Sequence, residues 1–235
     1  MKKGIWFPVS NISGVYVGQY VVPSFISNSI ALKVTDKEWV VVSPGEAMLA
    51  AWPQLCPHED AQLSIIMPNS FHYMGVTAWL KRYPNAKLYA SKKAIKRLSK
   101  KGFSEVTPLE ERVPNLPDNF EVLVPPGHRG GDVWLSRRDP KQGALWVTCD
   151  SFQNYERYSN QPIARTLQKI LDTAPGLKVS QFVKWLLLDN KRDFKRWVLT
   201  QLQQDKPTTL IPSHGEVEQD AQLSQRIEQL IHRRL

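Results

Sequence analysis

Strand-forming sequence is concentrated at the front of this chain and helix-forming sequence at its back, with the two mixed between. Residues 15–22, 29–34 and 39–42 are rich in Val, Ile and aromatic side chains, which predicts strands. Pro44-Gly45 stops the third, and 46–52 reads as a short helix. The apolar run 63–67 is short enough for a buried strand. A helix over 76–83 stops near Pro84, and a strand comes next at 87–90. Ser91 is placed to cap a helix over 92–101, which Gly102 ends. After a proline-punctuated loop at 108–118, strands are predicted at 120–124, 132–136 and 144–148. Helices are predicted at 163–171, 180–188 and 192–203, then a strand at 208–211 and a last helix from about 217. On that helix Leu223, Ile227, Leu230 and Ile231 recur at helical spacing, so one face packs. The order indicates a layered α/β protein and does not by itself choose among such folds.

A chain of 235 residues with 42% apolar content can bury a full core without a disulfide or a structural metal. It reads as one domain over 1–235. Cys56 and Cys149 are far apart and form no Cys-x-x-Cys pair, which argues against a disulfide framework or a zinc knuckle. No apolar run is long enough to cross a bilayer, so no membrane partner is expected. Met1-Lys2-Lys3 is basic, but Pro8, Ser10, Asn11 and Gly14 interrupt the residues after it, which is not the pattern of a signal peptide. A cytoplasmic protein is the default expectation.

The net charge of +9 is local. Nine basic residues and no acidic one lie between Lys81 and Lys101; without them the chain carries 22 basic residues against 22 acidic. At about 100° per residue, the cations of 92–101 occupy one half of the helix, and Ala94, Ile95 and Leu98 the other. A solvated cationic face is the expected role; contact with nucleic acid is possible but not favoured.

Three further segments carry chemistry. Pro126-Gly127-His128-Arg129-Gly130-Gly131-Asp132 lies between two predicted strands. Ala144-Leu145-Trp146-Val147-Thr148-Cys149-Asp150 is a strand ending in an aspartate. Leu210-Ile211-Pro212-Ser213-His214-Gly215 is a strand followed by a histidine and a glycine. In this order and spacing they resemble the P-G-H-T-P-G-S, G-D and P-G-H-G signatures of the metallo-β-lactamase superfamily. The main motif of that family, H-x-H-x-D-H, should come after an early buried strand. Here that place holds Met67-Pro68-Asn69-Ser70-Phe71-His72, with Met67 and Asn69 where the first two histidines belong and Phe71 where the aspartate belongs. The stretch Trp79-Leu-Lys-Arg-Tyr-Pro-Asn-Ala-Lys-Leu-Tyr-Ala90 resembles the helix and strand that come after the motif. Ser43 stands where family members often place the aspartate of an Asp-x-Gly turn.

The resemblance, over roughly residues 15–235, implies a four-layer αββα sandwich of two mixed sheets flanked by helices. It implies a degenerate metal site made from His72, His128, Asp150 and His214, with Asn69 as a weak fifth candidate. In dinuclear relatives the counterparts of Asn69 and His128 serve one metal, those of His72 and His214 the other, and that of Asp150 bridges. One divalent ion (zinc, iron or manganese) is therefore expected, or none. Two functions remain open. The first is a metal-dependent hydrolase of a small-molecule ester, amide, thioester or phosphodiester, with Asp150 as its catalytic carboxylate. The second is a binding module that has kept the fold and lost its metal. Cys149 reads as a small buried residue rather than a nucleophile, and Asp132 as either a substitute ligand or an organiser of the glycine loop. Nothing in the sequence sets an oligomeric state.

Overall fold

The structure is a computed structural model that describes residues 4–22, 25–140 and 143–235. The chain divides into two compact units, Met1–Asp118 and Asn119–Leu235, each built on one mixed sheet.

In the first unit the strands lie in chain order: β1 (Trp6–Pro8), β2 (Val15–Val22), β3 (Phe25–Lys33), β4 (Glu38–Val42), β5 (Gln62–Ile66), β6 (Lys87–Ala90) and β7 (Val106–Pro108). Pairing is antiparallel from β1 to β4 and parallel from β4 to β7. The switch has its cause in the connections, because parallel neighbours need a crossover and this is where the helices begin. These are α1 (Trp52–Leu55), α2 (Val76–Arg82) and α3 (Lys92–Ser99). The predicted helix 46–52 is instead a single 3-10 turn, Glu46–Met48, with α1 after it. Trp52 is the hub of the core, its ring 5.6 Å from Trp6, 5.4 Å from Trp39 and 4.9 Å from Trp79. Ala94 and Leu98 of α3 join that core while Lys92, Lys93, Lys96, Arg97 and Lys100 are exposed, as the sequence pattern requires. The N-terminus of α3 is held differently from expectation. Ser91 makes no side-chain cap, and the Glu110 carboxylate accepts the Lys92 N–H, at 2.9 and 3.1 Å from its two oxygens. A carboxylate there also complements the helix dipole.

The second unit orders its strands β13-β12-β10-β9-β8, with β11 also on β10. They are β8 (Phe120–Leu123), β9 (Trp134–Arg137), β10 (Ala144–Tyr155), β11 (Gly176–Lys178), β12 (Pro207–Gly215) and β13 (Glu218–Gln219). Only β10 and β12 pair in parallel. The helices are α4 (Pro162–Leu171), α5 (Lys191–Asp205) and α6 (Leu223–Arg234), and Val183–Leu187 forms a short π-helical stretch. Trp134 centres the aromatic core, 5.0 to 6.2 Å from Trp146, Phe152, Phe194 and Trp197. At the end of α5 the buried Asp205 carboxylate accepts hydrogen bonds from Ser136 Oγ (2.9 Å), Arg138 Nε (2.7 Å) and Trp146 Nε1 (2.7 Å).

Several boundaries differ from expectation: the helix at 180–188 is the π-helical stretch Val183–Leu187, and the strand at 208–211 runs over Pro207–Gly215, so His214 lies inside it. The strand at 132–136 begins only at Trp134, because Asp132 is turned to other partners. The last helix begins at Leu223 rather than near 217, because Glu218 and Gln219 pair with β12 and the Glu218 and Asp220 carboxylates both hold Arg226. The strand at 144–148 continues to Tyr155, so Asp150 lies inside it and not at its end.

Candidate metal centre

The parallel pair β10 and β12 is interrupted where its two motif residues sit. Thr148 pairs with Pro212 and Gln153 with His214, so β10 advances five residues while β12 advances two. The surplus bulges β10 and turns Asp150 toward His214, whose Nε2 lies 3.0 Å from Asp150 Oδ1. Beyond the bulge the strands are clamped again. Asn154 accepts the Glu216 N–H on its backbone oxygen (2.6 Å) and donates its side-chain amide to the Glu216 carbonyl (3.1 Å). Gly215 has φ +97°, and a Cβ there would collide with the Asn154 carbonyl, so the glycine after the histidine is obligatory.

His128 enters the second unit differently. Gly127 (φ +69°) sits against the Asn190 carbonyl, which leaves no room for a side chain. The adjoining His128 is fully buried, and both its ring nitrogens face Asp132. Nδ1 accepts the Asp132 backbone N–H at 3.3 Å, and Nε2 is 3.4 Å from Asp132 Oδ1. The other carboxylate oxygen of Asp132 accepts from Ser151 N (3.0 Å) and Ser151 Oγ (2.6 Å). Asp132 thus ties the glycine loop to the residue after Asp150. Its oxygens, the Cys149 sulfur and the Asp150 oxygens include a set lying within 4.8 Å of one another. Burial pushes the Cys149 thiol well up, and the Asp132 and Asp150 charges push it further, against the opposing pull of a hydrogen bond with Ser213. It stays a thiol, which fits a small buried residue and not a nucleophile. Burial and then Asp150 also hold the Tyr155 phenol protonated far above its ordinary range.

In the first unit the loop after β5 carries His72. Asn69 is fully buried, and its side-chain oxygen accepts the backbone N–H of Phe71 (2.8 Å) and of His72 (3.2 Å), folding the loop back on itself. His72 Nδ1 lies 2.7 Å from the hydroxyl of Ser43. Ser43 is buried in left-handed backbone at φ 52°, and Ser29 Oγ braces the turn by donating to the Ser43 carbonyl (2.8 Å) and accepting from Gly45 N (2.8 Å). A non-glycine residue in that region costs about 1–2 kcal/mol. Its hydroxyl fixes the ring of His72 through Nδ1, the kind of outer partner that orients metal-ligating histidines. Met67 lies wholly in the core, and the Arg97 guanidinium stands 4.3 Å above the ring of Phe71.

Within single units, then, the structure joins Asp150 to His214, His128 to Asp132, and Asn69 and Ser43 to His72. Ser43 was noted in the sequence only as the replacement for the aspartate of an Asp-x-Gly turn, and Ser151 was not singled out, since an isolated serine carries no spacing signal. Two ligand atoms each about 2.0–2.2 Å from a tetrahedral zinc are about 3.4 Å apart; Asp150 Oδ1 and His214 Nε2 are 3.0 Å apart, a hydrogen-bond separation a few tenths of an ångström short of that spacing. Both are held by strand backbone, as a ligand pair must be.

No protein-family model matches the sequence, and no curated protein matches it. Solved structures do match. The DIM-1 metallo-β-lactamase aligns with 97% of this chain and 98% of its own at a TM-score of 0.63 and 12% identity. The fold is that of the metallo-β-lactamases. FIM-1 from Pseudomonas aeruginosa in its mono-zinc form matches 99% of this chain and 97% of its own, with TM-score 0.60 and 16% identity. A flavo di-iron protein from Thermotoga maritima matches 96% of this chain over 61% of its own, with TM-score 0.61 and 14% identity. Identities this low establish the metallo-β-lactamase fold of the chain and leave its chemistry to its own residues. Among the described residues no helix is long and apolar enough to cross a membrane.

Proposed function

We propose that the chain is a metal-dependent hydrolase of small-molecule substrates with a mononuclear site. The observation that carries this is the contact between Asp150 and His214 across the bulged strand pair. The motif resemblance makes His72, whose ring Ser43 orients, a further candidate ligand. A divalent ion there would polarise a carbonyl or phosphoryl oxygen and acidify a bound water. The protein's own residues do the rest. Ser43 keeps His72 in one ring orientation, and the Asn154–Glu216 clamp keeps His214 against Asp150. His128 braces Asp132, which holds Ser151 and so the bulge that presents Asp150. On this reading His128 is a positioning residue, and the second metal of dinuclear relatives has lost its ligands: Met67 is core and Asn69 secures a turn.

Those same substitutions favour a second reading, a binding module that retains the fold without turnover. Phe71 offers no carboxylate to orient a water, and its face is covered by Arg97. The two readings part in one experiment. Protein purified without a histidine tag is analysed for metal and titrated with zinc, manganese and iron(II), beside Asp150→Ala and His214→Ala. It is then assayed on ester, amide, thioester and phosphodiester substrates with and without a chelator. The hydrolase requires about one equivalent of metal, lost in both variants, and turnover that chelation abolishes. A folded wild type that binds none of the three metals and turns over nothing establishes the binding module.

A further inference from the structure

Helix α4 is amphipathic in the wrong direction for a helix that only packs on its own sheet. At about 100° per residue, Ile163, Leu167 and Ile170 form one stripe, Ala164, Gln168 and Leu171 a second, and Arg165 and Lys169 a third. The stripe turned inward is the second, in which Ala164 and Gln168 are buried, the latter accepting the Ser159 N–H at 2.6 Å. The apolar stripe faces outward, with Ile163 78%, Leu167 38% and Ile170 67% exposed. Helix α6 of the same unit shows the ordinary arrangement, with Leu223, Ile227, Leu230 and Ile231 all buried.

The same combination recurs further along. Trp185 and Leu186 are 62% and 54% exposed, and Lys191 Nζ and Lys184 Nζ lie 3.8 and 5.3 Å from the centre of the Trp185 ring. Both sites join protruding apolar bulk to cations. Helix α4 and the four residues before it, 158–171, hold no acidic side chain.

We propose that the outward stripe of α4, with Arg165 and Lys169 beside it and Trp185–Leu186 as a second contact, docks the protein on an anionic phospholipid surface. Isoleucine and leucine side chains would enter the acyl boundary, and the lysine and arginine stems would reach phosphate oxygens, as in helices that lie in the bilayer interface. Charge separates this partner from a second copy of the chain. A copy seated on the stripe would bring another Arg165 and Lys169 against the first pair. Three side chains also fall well short of the roughly 800 Å² per partner that a stable dimer buries.

The test is flotation of the full chain with vesicles of phosphatidylcholine alone and of phosphatidylcholine mixed equally with phosphatidylglycerol. The expected result is co-flotation with the mixed vesicles, weakened by high salt, and at least tenfold weaker partitioning into phosphatidylcholine alone. Ile163→Gln with Ile170→Gln should lower partitioning at least tenfold while leaving the melting temperature unchanged, since neither side chain is buried. Arg165→Gln with Lys169→Gln should remove most of the preference for the anionic lipid. No flotation of the wild type with the mixed vesicles overturns the proposal whatever the variants do. So does partitioning that the Ile163 and Ile170 changes leave intact, or a concentration-dependent dimer in sedimentation velocity that those changes dissolve.

Discussion

Asp132→Asn is the substitution that decides what His128 is for. Because His128 Nδ1 accepts a backbone N–H, its proton sits on Nε2, facing Asp132 Oδ1, while Asp132 Oδ2 receives both donors of Ser151. The carboxylate accepts from both Ser151 donors on Oδ2, and His128 Nε2 approaches Oδ1 at 3.4 Å without hydrogen-bond geometry. Asparagine has nearly the same shape but exchanges one acceptor for two donors. If its amide faces His128, nitrogen meets the Nε2–H; if it faces Ser151, nitrogen meets the Ser151 N–H. Either orientation leaves a buried donor against a donor, at about 1–3 kcal/mol. Asp132→Ala strands both Ser151 donors, removes the carboxylate beside His128 Nε2 and should cost about 3–5 kcal/mol, in the range for breaking a buried charged network. Urea unfolding followed by tryptophan fluorescence reads both variants, with the midpoint falling and the slope unchanged. A variant Asp132→Asn within about 0.5 kcal/mol of wild type would refute the reasoning. The imidazole would then be free to turn, and His128 would return to the list of metal ligands.

Three other outcomes are expected. Ser43→Gly relieves the left-handed backbone by about 1–2 kcal/mol and loses a hydrogen bond worth about 1 kcal/mol, so stability should barely move. Its zinc affinity, measured by calorimetry, should fall about 10–100-fold, because His72 loses the hydroxyl that orients it. Phe71→Asp should pair with Arg97 instead of strengthening the site, so zinc affinity rises only when Arg97→Ala accompanies it; a rise in the single variant would contradict this. Changing Lys92, Lys96 and Lys100 to Glu should leave the melting temperature within a few degrees, since the exposed Lys92–Glu111 pair is worth about 0–1 kcal/mol; outright unfolding would contradict the exposure of that face.

The strands buried on the sheets were legible because Val, Ile and aromatic runs report burial directly, as in β4 and β5. The short strands β1, β7, β11 and β13 were not. At two or three residues they show no period, and only pairing with a neighbour makes them strands. The segments that carry His128, Asp150 and His214 were legible as motifs, with Gly127 and Gly215 inside them. What could not be read was whom each residue would face. Asp150 looked like the last residue of a strand because a strand's length on one side says nothing about the slip against its partner, and the slip is what aims it. Ser91 had the right residue type for a cap, yet a carboxylate nineteen residues beyond it took the role, a choice local propensity does not contain.

The departures from the metallo-β-lactamase motif are each absorbed by the surrounding structure, and this bears on whether a second metal could be held. A vacated ligand position in a working site would leave a polar gap. Here Met67 belongs to the same buried core as Ile65 and Val76, and the Asn69 side-chain oxygen accepts two backbone N–H groups of its loop. Phe71 exchanges the aspartate's charge for a ring under Arg97, and His128 has both nitrogens turned to Asp132. These four positions are those that would serve the second metal or its water. The motif residues that keep a ligating side chain are held differently: Asp150 Oδ1 and His214 Nε2 lie 3.0 Å apart across the clamped strand pair, and His72 Nδ1 lies 2.7 Å from the Ser43 hydroxyl. Restoring a second metal by Met67→His and Asn69→His together would therefore disrupt core and turn before it created a site. That double variant should lose stability by several kcal/mol, about 2–5, without gaining a second equivalent of zinc. A stable variant with two bound zinc ions would show that the second position is merely unfilled rather than rebuilt as structure.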